Sequence, residues 1–519
     1  MGKKSMQLKS PFITRGGVVA SENYFATKIG LELLDRGGNA VDASIATSFA
    51  LSVAMPHLGG LGGDFFALYY EKKTGRVYCI NSSGFAPRKL TIEKVQASGY
   101  TDGMPLRGPL AISVPGYVYG TFNFHKRFGS KKFTEIISPS INLAIKGYPI
   151  SAGFYKALNT NFNILQSDEG GSKIFLGAIK RLSEGAIIKF PEVAKTLSII
   201  RDEGPKGFYD GKVCESIVEY VQSKQGVLEK EDMKKFKPEW VTPIRTTYRN
   251  YNVYEVPPNS MGATTLILLN MLEKYDLKPL RAIHYRYLEL FLKLIQISYH
   301  VRDEHLSDPR FVKIDLKKLL SKEYSSELLK SYNQKGRPRN VMGDTTYFAV
   351  ADREGNVVSA IQSLFLGFGS GLTVPQYGIP LNSRASYFKF EGVNKLQPGK
   401  RTLHTLSAML LTSEKEVVAL GSSAGDLRPQ IYAQLVANYV DFDLGLQGAI
   451  ENPRFVLEGK KLLLLEDSID TGRLAERYNI KRINFSSSLG VAQGVKVCDS
   501  TKWASCDIRG DGLPLGQSN

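Results

Sequence analysis

The sequence is poor in the residues that most often announce a chemistry. It has six histidines, four cysteines and two tryptophans in 519 residues. Cys79, Cys214, Cys498 and Cys506 show no CxxC spacing, which removes the usual zinc and dithiol patterns. Spacing alone leaves open whether Cys498 and Cys506 pair. His300 and His305 are five apart, which does not put both on one helix face as HExxH does, so they read as helix-surface residues and no metal is expected. No Walker A stretch occurs, and the glycines at 59–63 and 367–371 do not fit GxGxxG, so no nucleotide cofactor is implied. There is no apolar run near the about 18 residues of a membrane span. The start, MGKKSMQLKSPF, lacks the apolar core of a secretory signal, so the expected compartment is the cytoplasm.

Charge is unbalanced, with 67 Lys and Arg against 50 Asp and Glu, net +17. The basic residues are scattered, and the KK pairs never grow into a run with interleaved aromatics. A diffusely basic, solvated surface is expected, not a nucleic-acid groove. Apolar residues at 43% and charged residues at 23% are ordinary for a globular chain long enough to bury a large core.

Residues 26–54 read as two helices split at Gly37-Gly38, the second rich in small residues. A glycine-rich turn then feeds a hairpin. Residues 133–200 and 212–223 read as helical, and 262–302 as one helical stretch. The polar segment 330–340 has no periodicity and reads as an exposed loop. After it come a strand, a turn at 354–356 and a second strand, then a strand pair around 404–421 and a helix near 427–440. The first part of the chain is α-rich and the last part β-rich. There are no internal repeats.

Two hydroxyl motifs compete as nucleophile. Gly421-Ser422-Ser423-Ala424-Gly425 fits GxSxG between a strand and a helix. An α/β-hydrolase needs an acid and then a histidine after the serine, whereas the last histidine here is His404. A tight backbone turn accounts better for this motif. The other is Gly343-Asp344-Thr345-Thr346, where a loop leads into a strand whose first residue carries a hydroxyl. Cleavage of the Asp344–Thr345 bond would give Thr345 a free α-amine with an unperturbed pKa of about 8, suited to a general base. Nucleophile and base would then reside in one residue.

Longer motifs decide between them. GLELLDRGGNAVDASIATSFALSVAMPHLGGLGGDFFALYY, SVPGYVYG at 113–120, the block 202–265, TTYFAVADREGNVV at 345–358, PGKRTLHTLSAML at 398–410 and the tail CDIRGDGLPLG occur in order along nearly the whole chain. Together they resemble the gamma-glutamyltransferase family. The resemblance implies an α/β N-terminal-nucleophile hydrolase fold, an αββα four-layer sandwich. It also implies self-cleavage into 1–344 and 345–519, both pieces staying interleaved in one fold. Thr345 is then the nucleophile, Ser363 the hydroxyl that bonds it, and the N–H groups of Ala424 and Gly425 an oxyanion hole. Ala424 replaces a glycine, which is tolerable only where φ need not be positive.

The substrate positions depart from the family. Ser83 stands where an arginine holds the glutamyl α-carboxylate, and Tyr387 where a carboxylate holds the α-amino group. Arg384 replaces an amide residue, His404 and Thr405 replace paired serines, and Phe365 replaces an asparagine near the nucleophile. Loss of a bidentate guanidinium is not conservative; Arg384 is a candidate replacement cation. This pattern is similar to the acylase-like, hydrolysis-leaning branch. The expected activity is hydrolysis of γ-glutamyl amides of the glutathione type through an acyl-enzyme, with small-molecule substrates and no cofactor. The alternatives are an acylase for non-glutamyl dicarboxylic acyl amides and a non-catalytic binding relative.

Overall fold

Residues 347–351 and 357–365 are mostly apolar on both sides of their alternation, as strands covered on two faces are. The computed structural model describes residues 8–177, 183–331 and 343–518. Most of the segment 330–340 lies outside these residues; Lys330 and Ser331 end the helix Lys322–Ser331. The strands Asp344–Ala351 and Val357–Phe365 pair antiparallel at the centre of a seven-stranded sheet. Across it the order is Leu515–Gly516, Val18–Ser21, Asp344–Ala351, Val357–Phe365, Asp64–Glu71, Arg76–Ser82 and Glu239–Val241. A second seven-stranded sheet runs Phe12–Thr14, Thr501–Cys506, Ala492–Cys498, Glu416–Ser422, Met409–Thr412, Tyr251–Glu255 and Ile244–Tyr248. Residues before and after the 344–345 bond contribute strands to both sheets.

Period-two alternation sorts the side chains into layers. Tyr347, Ala349 and Ala351 meet Leu410, Ala419 and Val495 between the sheets. Phe348 and Val350 face the other way, into a core shared with helices Tyr24–Asp35, Ala40–Ala54 and Phe133–Lys146. The outer face of the second sheet is covered by helices Gly262–Leu272, Tyr285–His305 and Arg428–Val440. The result is the expected αββα sandwich.

Every residue of Ala40–Ala54 is buried. Its start is fixed by Asn39, whose side chain accepts from Val41 N and Asp42 N while Asp42 answers to Asn39 N, a capping box. Small residues let its neighbour approach: a Cβ on Gly30 would lie 2.1 Å from Thr47 Oγ1. The expected single helix over 262–302 is two. It stops at Leu272, passes a 3-10 turn containing Pro279, and restarts at Tyr285 under a His284 cap. Cys498 and Cys506 are both free. They sit at opposite ends of one hairpin, opposite Thr501 and Gln493 respectively, so they do not pair.

Candidate active site

Thr345 lies at the start of a central strand, 1% exposed, at the mouth of a cavity of about 590 Å³. Its hydroxyl donates to Ser363 Oγ at 3.1 Å. Ser363 in turn donates to the carbonyl oxygen of Asp344 at 2.8 Å and accepts from Phe365 N–H at 2.7 Å. A hydroxyl has one donor and two acceptor positions, and all three are used. One serine therefore orients the threonine hydroxyl and polarises the carbonyl immediately before it. The strand pairing supplies the register, with Gln362 opposite Thr346 and an irregularity between Asp344 and Thr346.

The glycine-rich turn ends the strand Glu416–Ser422 beside this bond. Ala424 has φ −178°, extended backbone that any residue adopts, which answers why alanine is accommodated there. Gly425 has φ +51°, and a Cβ there would fall 2.2 Å from Gly343 N. The turn thus touches the chain just before Thr345. Ser423 is not poised as a nucleophile, since its Oγ accepts from Val491 N–H at 2.9 Å.

Phe365 follows Ser363 by two residues and has φ +82°, a region that bulky residues rarely adopt. Its ring is clamped, with the Arg384 guanidinium 4.4 Å above and Tyr387 edge-on at 5.7 Å. Behind the ring lies a sealed polar cluster. Arg384 donates to Thr405 Oγ1 at 2.9 Å and lies 3.7 Å from Asp64. His404 Nδ1 accepts from Leu406 N–H, leaving Nε2–H to Asp64 at 2.9 Å. Burial pushes the His404 pKa down to about 3, so it is neutral. Tyr387 bonds Asp426, which also pairs with Arg302 at 2.7 Å. Ser83 bonds Asn81 and Asn259, and Asn259 O accepts from His404 N–H, which ties Ser83 to the same cluster. Arg384 is fully buried, with Nε and Nη2 lacking a hydrogen bond, and burial pulls its pKa down to about 9. None of these five residues lines the cavity beside Thr345.

Besides Asp344, Thr345 and Ala424, the cavity is walled by residues that sequence reasoning did not single out. Glu22 follows the strand Val18–Ser21, which pairs with Thr345's own strand. It is 5% exposed, and burial holds its carboxyl well above the usual carboxylate range. His57 stacks on Phe154 at 5.2 Å, and burial pushes its pKa down to about 3. Arg509 and Asp511 belong to the closing motif, and Asp511 accepts from Gly153 N–H at 2.9 Å. Arg509 is anchored by Glu466 and Asp507 at 2.6 and 2.8 Å. Glu22 and His57 lie within or just before the opening motif, so their chain positions were visible but their convergence was not. A second cavity of similar size lies between helices Tyr24–Asp35 and Phe133–Lys146 and holds none of the candidate residues. Among the described residues no cluster of His, Cys, Asp or Glu is arranged to hold a metal, and no helix is long and apolar enough to cross a membrane.

Two stacked antiparallel sheets between helix layers, with a threonine at the start of a central strand, define the class: an N-terminal-nucleophile hydrolase fold. The chain belongs to the gamma-glutamyltranspeptidase family, whose model matches residues 26–516. It is 33% identical to the glutathione hydrolase-like YwrD proenzyme of Bacillus subtilis, over 96% of this chain and 98% of that one. It is 29% identical to the Acylase ACY 1 proenzyme of Pseudomonas sp. (strain SE83), over 98% and 95%. The crystal structure of cephalosporin acylase from Bacillus halodurans superposes with a TM-score of 0.91 at 28% identity, covering 100% of this chain and 99% of that one. The protein is thus an enzyme of this hydrolase and acylase family.

Proposed function

We propose that the chain is a proenzyme that cleaves itself between Asp344 and Thr345 and then hydrolyses γ-glutamyl amides of the glutathione type, using Thr345. The hydrogen-bond sequence Thr345 Oγ1, Ser363 Oγ, Asp344 O carries this reading. In the first step Thr345 Oγ1 adds to the Asp344 carbonyl carbon, and Ser363 donates to the oxygen that gains charge. The C–N bond breaks, the amine takes the proton from the hydroxyl, and an ester remains. Water hydrolyses the ester, releasing an Asp344 carboxylate and a Thr345 with free amine and hydroxyl.

That amine serves as base in turnover. Thr345 attacks the substrate amide, the leaving amine departs protonated, and water resolves the acyl-enzyme. The N–H groups of Ala424 and Gly425, on a turn already in contact with residue 343, stabilise the tetrahedral oxygen. Ser83, Arg384, Tyr387, His404 and Thr405 form the wall behind Phe365 that shapes the acyl side. Hydrolysis is favoured over transfer because no acceptor site is recognisable.

A second reading, an acylase acting on non-glutamyl dicarboxylic acyl amides, is favoured by the exchange of the glutamyl-binding arginine for Ser83 and by the likeness to the cephalosporin acylase. The test is a timed denaturing gel with N-terminal sequencing. A fragment beginning Thr-Thr-Tyr-Phe is expected from the wild type and absent from Thr345→Ala. A folded wild-type chain that stays whole and hydrolyses neither γ-glutamyl nor glutaryl anilides would leave only the binding-relative reading.

A further inference from the structure

The uncleaved chain carries its own stand-in for an acyl donor. Asp344 supplies the carbonyl that Thr345 faces, so its side chain points where the acyl part of an amide lies when the same hydroxyl attacks it. That side chain ends in a carboxylate two carbons from the carbonyl. The residue keeps exposed surface in the cavity, yet protein walls its carboxylate. A Cβ on Gly367 would fall 2.7 Å from Asp344 Oδ2 and 3.3 Å from Asn161 Nδ2. Gly367 is therefore a close floor for a carboxylate, not a turn glycine of convenience.

Behind this floor stands Arg107. Its Nη1 donates to the carbonyls of Gly367 at 2.7 Å and Gly369 at 2.8 Å, and its Nη2 to Asn161 Oδ1 at 3.2 Å. A guanidinium has five N–H donors, so these three bonds fix its plane and leave donors for an anion. Burial raises the Asp344 pKa, opposed by the Gly367 N–H and then by Arg107, and burial lowers the Arg107 pKa, opposed by Asp344. No direct ion pair joins them.

We propose that Arg107, Asn161 and the Gly367 backbone form the acyl-carboxylate subsite, plugged by Asp344 before cleavage and filled by substrate afterwards. It takes acyl groups that end in a carboxylate, the dicarboxylic class that Asp344 itself imitates. Arg384 does not serve this role, since it is fully buried and engaged with Thr405 and Asp64. The inference rests on Thr345 being the nucleophile.

The test uses self-cleaved protein and three p-nitroanilides: glutaryl, succinyl and the neutral isostere pentanoyl. Wild type should prefer both dicarboxylic acyl groups over pentanoyl. Arg107→Gln should raise KM for glutaryl by about tenfold or more, the scale of a charge-assisted bond, with pentanoyl turnover unchanged. Arg107→Lys should restore part of the difference. Gly367→Ala, which fills the carboxylate position, should likewise lose glutaryl selectivity and keep pentanoyl turnover. Equal losses on glutaryl and pentanoyl would make Arg107 a scaffold residue only and overturn the proposal. So would loss of glutaryl preference in Arg384→Gln with none in Arg107→Gln. Self-cleavage by the wild type is scored separately, so failure of the nucleophile assignment is told apart from failure of the subsite.

Discussion

Replacing Ser363 by alanine tests the cleavage geometry at its most exposed link. The hydroxyl donates to the Asp344 carbonyl at 2.8 Å and accepts from Thr345 and from Phe365 N–H. As Thr345 adds to that carbonyl, negative charge grows on the oxygen that Ser363 bonds. Removing one positioned donor to a developing oxyanion costs about 2.7–4 kcal/mol, or about 10²–10³ in rate. A second effect falls on stability: Phe365 N–H is left buried without its acceptor, at about 1–3 kcal/mol. The two are separable. Conversion of the 519-residue chain to two pieces is followed by denaturing gel over time, and folding by urea titration of the Thr345→Ala background with and without Ser363→Ala. Ser363→Ala should fold with reduced stability and convert about a hundredfold or more slowly, and Ser363→Thr should recover most of the rate. A folded Ser363→Ala chain that converts at the wild-type rate would refute the role given to this hydroxyl.

Gly425→Ala places a Cβ 2.2 Å from Gly343 N at a residue with φ +51°, so about 1–2 kcal/mol of backbone strain is joined by a backbone clash. Self-cleavage, read on the same gels, should be impaired more than the urea midpoint. His57 and His404 are held neutral with pKa values of about 3, so between about 6.5 and about 3 the unfolded chain binds protons that the folded one does not. Stability from each is fully present above about 6.5 and falls by about 1.4 kcal/mol per pH unit below it. Glu22 and Glu255, with raised pKa values, act in the opposite sense as pH falls. The readout is therefore a difference: between pH 7 and 5 His57→Phe, which keeps the stack on Phe154, should lose about 2 kcal/mol less than wild type in urea titrations.

The layers of the fold were legible wherever local pattern determines them. The two helices split at Gly37-Gly38 and the strand pair around the 354–356 turn are where the sequence places them. The candidate nucleophile was legible because a hydroxyl opens a strand after a polar loop and long motifs surround it. The strand order was not, since Val18–Ser21 and Asp64–Glu71 flank strands some three hundred residues later. Nor was the placement of Arg384 behind Phe365, which depends on one residue taking φ +82°. Proline at 279 shows the same limit on a smaller scale: it marked a break that apolar periodicity on either side masked. Arg107 and Asn161 carry no motif, and only the tertiary approach of the 367–369 turn gives them a common purpose.

Before cleavage the hydrogen of Ser363 is committed to the Asp344 carbonyl, and its lone pairs to Thr345 and Phe365. On the proposed mechanism the bond that breaks is the one whose carbonyl holds that hydrogen, so cleavage frees it. The serine can then donate to the new α-amine or to an incoming carbonyl without any rearrangement of the strands. The same step removes Asp344 from the front of Arg107 and Gly367. On this proposal processing and substrate binding compete for one space, which residue 344 fills in the unprocessed chain. This links two measurements that are otherwise independent: the chain left uncleaved by Thr345→Ala should show no glutaryl binding. A variant of Arg107 should lower it in the fully cleaved protein.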